Sequence, residues 1–514
     1  MYFEFEIPMN DSFNIERTVG LRMKKTIVTF YLFLALIGVK SFASFELNEQ
    51  VQQAYLQIIR LNFDEGKRLL DKEQHSNPLN QLPLLYMNYI DFLKAYVSEE
   101  KIDLETFSNN TRNRLKIMKY EKSPFFLYSR AELLIQESIL NLKSGDYASA
   151  AWKIRKAYLT NENNSEIFPA FPLNKKISGM LNVFIGAIPD DYHWLADLAG
   201  FYGSIHQGTL ELTLLLNETT GTDYHIYREE LLYYLSSIQS SVSQRIDDPF
   251  QIDEMMRSYC SANKFMRVSF SNVLMRTGRN DEALQLLTDT SLMKDSYPTH
   301  LIIYKAGLAR LRKLDYTSEK DFQHFISRFK GMNYIRSAYQ KMAWIYLLQG
   351  NQKKYNDCMM MCKSVGSNRT EDDKEATEEA KSGEVPNPVL LRARLLFDGG
   401  YYREAMSEMA NKSIHDFPRL KDQLEVTYRL ARILQKLKLM EKAIHLFEET
   451  LKNGSTSRYY YAANSALLLG GIYEEKKDLE KAKSYYLKCL SMRNHGYQYS
   501  IDQKAKAGIA RLNK

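Results

Sequence analysis

The apolar and small residues of this chain fall in helical register, and the helices they predict come in pairs. The joint between paired helices carries a local pattern. It reads Gly, any residue, an aromatic, two residues, then Ala, with an apolar residue four places on and a small one three after that. The Gly and the aromatic shape a tight turn, and the Ala lets two helix backbones approach closely. GDYASAAWKIRKA fills every place with Gly145, Tyr147, Ala150, Ile154 and Ala157. GYYREAMSEM supplies Gly400, Tyr402, Ala405 and Met409, and KLMEKAIHLFEET supplies Ala443 and Phe447. In LLLGGIYEEKKDLEKAKSYYLKC, Leu469, Gly470 and Tyr473 suit the first helix, and Ala482, Tyr486 and Cys489 the second. GRNDEALQLL (Gly278, Ala283, Leu287) and AWIYLLQGNQKKYNDCM (Ala343, Tyr346, Gly350, Tyr355) follow suit. AYLQIIRLNFDEGKRLL places Ala54, Phe63, Gly66 and Leu70 in a similar arrangement. Ala283 and Tyr355 lie 72 residues apart, which predicts a further unit near residue 319, where Gly307 and Tyr316 fit and Glu319 replaces the small residue.

Copies of this signature in mutual register resemble the tetratricopeptide repeat, a unit of about 34 residues. The resemblance implies an all-α fold, a right-handed superhelical solenoid of antiparallel helix pairs about a dozen pairs long. Ala405 to Ala443 spans 38 residues and Ala443 to Ala482 spans 39. The excess over the usual period is about one helical turn, so longer helices are expected.

Two stretches interrupt the pattern. Residues 167–257 hold a Pro-Asp-Asp break at Pro189 and the small residues Gly200, Gly203 and Gly208, which predict short or closely packed helices. Residues 364–388 hold seven acidic residues against two lysines between Glu371 and Glu384, and read as a solvated helix or mobile loop acting as an acidic linker. Repeat blocks are accordingly expected at 44–166, 258–363 and 389–514. At the other end, Met23 to Ala43 reads as a secretory signal peptide: Lys24 and Lys25, an apolar run from Thr26 to Val39, and a small-x-small site at Ser41-Phe42-Ala43. Residues 1–22 are patternless, which makes Met23 the expected initiator and 1–22 an over-called start. The run is short for a membrane span, and no later segment is apolar enough to form one, so an exported chain in a bacterial periplasm or envelope is expected.

Composition adds exclusions. Gly (23) and Pro (12) are scarce over 514 residues, which disfavours β-rich folds. The net charge of +7 is spread without a basic stripe, so no nucleic-acid partner is expected. Cys260, Cys358, Cys362 and Cys489 are too few for a disulfide framework and have no zinc-ligand spacing. No phosphate loop, HExxH or nucleophile elbow is present. No catalytic residue, cofactor or metal is expected. His193 and His206 lie near Asp190, Asp191 and Asp197, from which an acid–base site could be drawn, though the spacing fits no ligand pattern. Trp152 and Trp344 sit within repeat helices, where core packing is expected, whereas Trp194 could face a groove. Tyr192, Trp194, Tyr202 and His206 are therefore the candidate partner-binding residues.

VPNPVLLRARLLFDGGYYREA (Val385 to Ala405), FKGMNYIRSAYQKMAWIY (Phe329 to Tyr346), RYYYAANSALLLGGIYEEKKDLEKAKSYYLKCLSM and the junction GFYGSIHQGTLEL together resemble a eukaryotic tetratricopeptide-repeat family, the one that includes the fungal inclusion-body-clearance protein. That family is cytosolic, and the resemblance implies action through other proteins and lipid-droplet-associated machinery. The export signal separates that cellular role from the fold. The Tyr-rich helices and the MKK-type leader also look like exported proteins of Bacteroides-like bacteria. The function expected is a non-enzymatic protein-interaction scaffold with its partner on the concave face. The alternatives are glycan capture on an aromatic patch of Tyr192, Trp194 and Tyr202, and an enzyme using His193 or His206. The sequence leaves partner identity and oligomeric state open. Expressed in a Gram-negative host, the exported protein should have the intact mass of residues 44–514; a mass retaining Thr26 to Val39 would show an uncleaved anchor instead.

Overall fold

The computed structural model describes residues 44–188, 203–241, 249–289 and 297–512. The expected leader at 23–43 and residues Tyr192, His193, Trp194 and Tyr202 lie outside them. The described residues form 24 α-helices with no strand. In the N-terminal half these are α1 (Glu49–Ile59), α2 (Phe63–Ser76), α3 (Leu82–Ser98), α4 (Lys101–Ile117), α5 (Pro124–Ser144), α6 (Tyr147–Ile167), α7 (Asn174–Gly186), α8 (Ile205–Glu218), α9 (Arg228–Ser241) and α10 (Pro249–Tyr259). The centre holds α11 (Lys264–Arg276), α12 (Asn280–Thr288), α13 (Leu301–Arg312), α14 (Ser318–Arg328), α15 (Ile335–Leu348), α16 (Gln352–Ser364) and α17 (Glu371–Ser382). The C-terminal block holds α18 (Pro388–Asp398), α19 (Tyr402–Glu408), α20 (Leu420–Lys436), α21 (Met440–Gly454), α22 (Tyr461–Glu475), α23 (Leu479–Ser491) and α24 (Gln498–Leu512). None is long and apolar enough to cross a membrane.

Consecutive helices pair, and the first helices of successive pairs also pack on one another. This gives an inner layer of α1, α3, α5, α7, α9, α11, α13, α15, α18, α20, α22 and α24, with their partners outside. Polar caps start many of the helices: Asp146, Asn351 and Asp478 each accept the amide three residues on, and Asn387 caps α18 ahead of Pro388.

One backbone device closes eight of the described pairs. The residue between the two helices takes a left-handed conformation at Leu61, Gly145, Gly278, Leu314, Gly350, Gly400, Lys438 and Lys477. Five residues later stands the position facing the first helix: Gly66, Ala150, Ala283, Glu319, Tyr355, Ala405, Ala443 or Ala482. Each of these alanines is 0% exposed. Gly307 and Gly470 show how tight the approach is, since an added methyl would lie 2.9 Å from the Asp321 Cβ and 2.5 Å from the Tyr486 ring. The pair predicted near residue 319 is α13/α14, and Glu319 fits because its carboxylate turns aside to accept the Tyr346 hydroxyl at 2.6 Å.

The described part of the irregular region obeys the same physics. Gly179 on α7 and Gly208 on α8 meet backbone to backbone, and a Cβ on Gly203 would lie 2.5 Å from the Asn182 carbonyl oxygen. The array also curls far enough for distant units to touch. Tyr297 N donates to Leu61 O at 2.9 Å, and the Glu99 carboxylate accepts from Asn333 Nδ2 at 3.0 Å. The Tyr499 hydroxyl of α24 reaches Ile188 O at 3.4 Å. Gly278 and Gly400, the turn residues of two separate pairs, lie directly against each other.

These turns make a graded prediction. Lys438→Gly and Lys477→Gly should each stabilise by about 0.5–1 kcal/mol, because the left-handed region costs a side chain about 1–2 kcal/mol and glycine's greater freedom in the unfolded chain offsets part of that. Gly350→Ala, with φ +76 and open space around it, should lose about 1 kcal/mol. Gly400→Ala, whose methyl would overlap Gly278, should lose clearly more. Urea melts of the four variants check the order, and equal losses for the two alanine variants would refute the close-contact account.

Candidate interaction surface

The inner layer carries two polar networks, one sealed and one open. The sealed network centres on Lys176 of α7, whose side chain is 0% exposed. Its Nζ lies 3.1 Å from Glu132 Oε2 on α5 and 2.8 Å from Glu230 Oε2 on α9. It donates to the hydroxyls of Tyr89 on α3 (2.8 Å) and Tyr128 on α5 (3.2 Å). Tyr55 of α1 and Tyr234 of α9 donate to Glu230 at 2.6 and 2.5 Å, and Tyr86 and Tyr227 share a 2.6 Å hydrogen bond. Burial pushes the Glu132 carboxyl up against the pull of Lys176. Burial alone would lower Lys176, but Glu132 and Glu230 outweigh it and hold the ammonium above its ordinary value. The cluster is a lock tying α1, α3, α5, α7 and α9 together. No motif in NKKISGM announces it, because its partners come from four other helices.

The open network is organised by the acidic segment, and here the sequence expectation needs correcting. Residues 371–382 form α17, which docks on α15 and α16 instead of serving as a solvated linker. Its Asp373, Ala376, Thr377 and Ala380 are buried. Its acidity is matched by groups that lie far away in sequence. Asp373 accepts the Tyr334 amide at 2.7 Å and the Ser337 amide at 3.1 Å, capping the start of α15. Glu375 pairs with Arg394 of α18, and despite its burial Arg394 and Lys341 hold its carboxyl down to about 2. Glu379 accepts from Trp344 Nε1 at 2.9 Å and Gln340 Nε2 at 2.7 Å. Lys341 Nζ sits 4.0 Å above the Trp344 ring and the Arg394 guanidinium 5.0 Å from it, a cation on aromatic arrangement. Beyond the helix, Glu384 meets Lys421 at 3.0 Å and Arg458 at 2.6 Å. The segment thus staples the central block to the C-terminal one.

The remaining expectations resolve individually. Trp344 is buried as core packing requires, 2% exposed. Trp152 is not, at 54% exposed. The buried residues of α6 are Ala150, Ala151, Ile154, Ala157, Asn161 and Asn164, so position 152 faces outward, where Lys156 covers its ring at 5.3 Å. Tyr147 is half out of the packing at 39% exposed, whereas Tyr402 packs on Phe397 at 5.4 Å and Tyr473 stacks on Tyr485 at 5.5 Å. All four cysteines are buried and free. His206 is exposed on the first turn of α8, and its proposed neighbours Tyr192, Trp194 and Tyr202 lie outside the described residues. No group of three metal-ligating side chains occurs among the described residues.

Paired helices, a left-handed turn at a fixed distance from a small residue, and a layered inner face define a helical-repeat protein. The family model for the tetratricopeptide repeat matches residues 422–495, across α20 to α23. That C-terminal stretch is a run of tetratricopeptide repeats. A search of curated proteins finds no match. Among solved structures, the crystal structure of the APC/C hetero-tetramer Cut9–Hcn1 is similar at 12% identity, covering 90% of this chain and 95% of that one, with a TM-score of 0.27.

The sealed network predicts an asymmetry. Lys176→Met should cost about 3–5 kcal/mol, since it strands two buried carboxylates. Glu132→Gln leaves one cation with one anion and should cost far less. Denaturant unfolding of both variants checks this, and equal losses would remove the lock as an explanation.

Proposed function

We propose that this protein is a non-enzymatic scaffold of the bacterial envelope that holds a protein partner on the inner face of its helical array. The observation that carries this reading is the docking of α17. Lys341, Trp344 and Gln340 of α15, with Arg394 of α18, already grip a helix through side chains set into the inner layer. A surface built to hold one helix by charge and aromatic contact has the chemistry to hold another. Tetratricopeptide repeats bind protein partners, which supports the class of activity. The leader at 23–43 supports the location.

In-cell crosslinking followed by affinity purification of the tagged protein, with mass spectrometry of the captured material, tests the reading. One envelope protein should recur, and inner-face charge reversals should remove it while outer-face reversals at Lys67 and Lys156 should not. Recovery of the chain alone, or capture indifferent to the inner face, would refute it.

A further inference from the structure

Much of the inner face carries positive charge that no carboxylate among the described residues pairs with. Arg276 of α11, Lys305 and Arg312 of α13, Arg432 and Lys436 of α20 and Lys504 of α24 form no ion pair among the described residues. Arg276, Lys436 and Lys504 are exposed, and the other three are partly open to water. Several are fixed in place. Arg312 Nη1 donates to Met275 O at 3.3 Å, beside Arg276. Arg432 lies 4.7 Å over the Phe397 ring and donates to the Tyr428 hydroxyl at 2.7 Å. Lys305 Nζ stands 5.4 Å from the Tyr334 ring. Four inner helices therefore present cations to a shared space. The charges feel one another: burial and then the neighbouring cations lower Arg276 (through Arg312) and Lys504 (through Arg276 and Arg432). Among the described residues, the carboxylates that reach this set are Asp372 near Lys305, Asp398 near Arg432 and Glu475 near Lys436, three against six cations.

Like charges held together in a partly dehydrated surface are costly, and an anionic ligand relieves that cost. The neighbouring α17 shows the form the anion takes on this face. Its Asp372, Glu375 and Glu379 fall on one side of the helix, with small Ala376 and Ala380 allowing close approach. We infer that Arg276, Lys305, Arg312, Arg432, Lys436 and Lys504 form a docking surface for an acidic helix of a partner protein, beside the acidic helix the chain already holds. The inference rests on the scaffold reading and specifies the partner's chemistry.

The test uses the full exported chain and a fluorescein-labelled helical peptide of Glu-Ala-Ala-Ala repeats, with its Lys-for-Glu twin as control, read by fluorescence anisotropy. The acidic peptide should bind saturably and lose affinity as salt rises, and the basic twin should not bind. Arg276→Glu with Lys504→Glu should weaken binding about tenfold or more, as should Lys305→Glu with Lys436→Glu. Lys67→Glu with Lys156→Glu should leave it unchanged. Far-ultraviolet circular dichroism confirms that each variant is folded, and either inner pair suffices if the other fails to fold. No binding of the acidic peptide, or equal binding by folded inner-face variants, overturns the inference. Displacement of the peptide by inorganic polyphosphate at much lower concentration also overturns it, in favour of a phosphate polymer. If crosslinking captures an inner-face partner while the acidic peptide fails to bind, the scaffold stands and the acidic-helix inference falls.

Discussion

Everything in this array depends on how closely two helix backbones can approach just after a tight turn. A left-handed residue reverses the chain, and five residues later, in six of the eight turns, a Gly or Ala lets the second helix settle on the first. The approach sets where each inner helix lies, and so where its polar side chains point. Close approach also extends between pairs. Gly278 against Gly400 brings together turns that are 122 residues apart, and the curl of the inner layer follows from such contacts.

Onto this frame electrostatics adds selectivity. In the N-terminal half a buried lysine with two carboxylates specifies which helices meet, because any other pairing would leave charge stranded in an apolar interior. In the C-terminal half the charges are arranged across an open surface, and an inserted acidic segment pairs with part of them. The insertion is visible in the spacing of the turns: 50 residues separate Gly350 from Gly400, against 36 between Gly278 and Leu314 or Leu314 and Gly350.

The repeat itself was legible because close packing restricts residue type: Ala150, Ala283, Ala405, Ala443 and Ala482 are small for a reason visible in sequence. Glycine marked only four of the eight repeat turns, however. Leu61, Leu314, Lys438 and Lys477 adopt the same backbone with nothing local to signal it. Long-range electrostatics was illegible for a deeper reason. Lys176 and Glu375 owe their roles to partners on other helices, and a run such as Glu371 to Glu384 looks solvated until its cations are known. Trp152 misled because a helix position says nothing of its face until the buried stripe is fixed.

The Lys176 lock also bears on how the chain acquires its structure. A linear repeat array can grow pair by pair as it emerges, each unit stable on the one before. Here Tyr55 waits for Glu230, 175 residues later in the chain. Until α9 arrives, Glu132 and Lys176 cannot be sealed without leaving unmet charge. The first five inner helices must therefore mature together as one slow, nonlocal step.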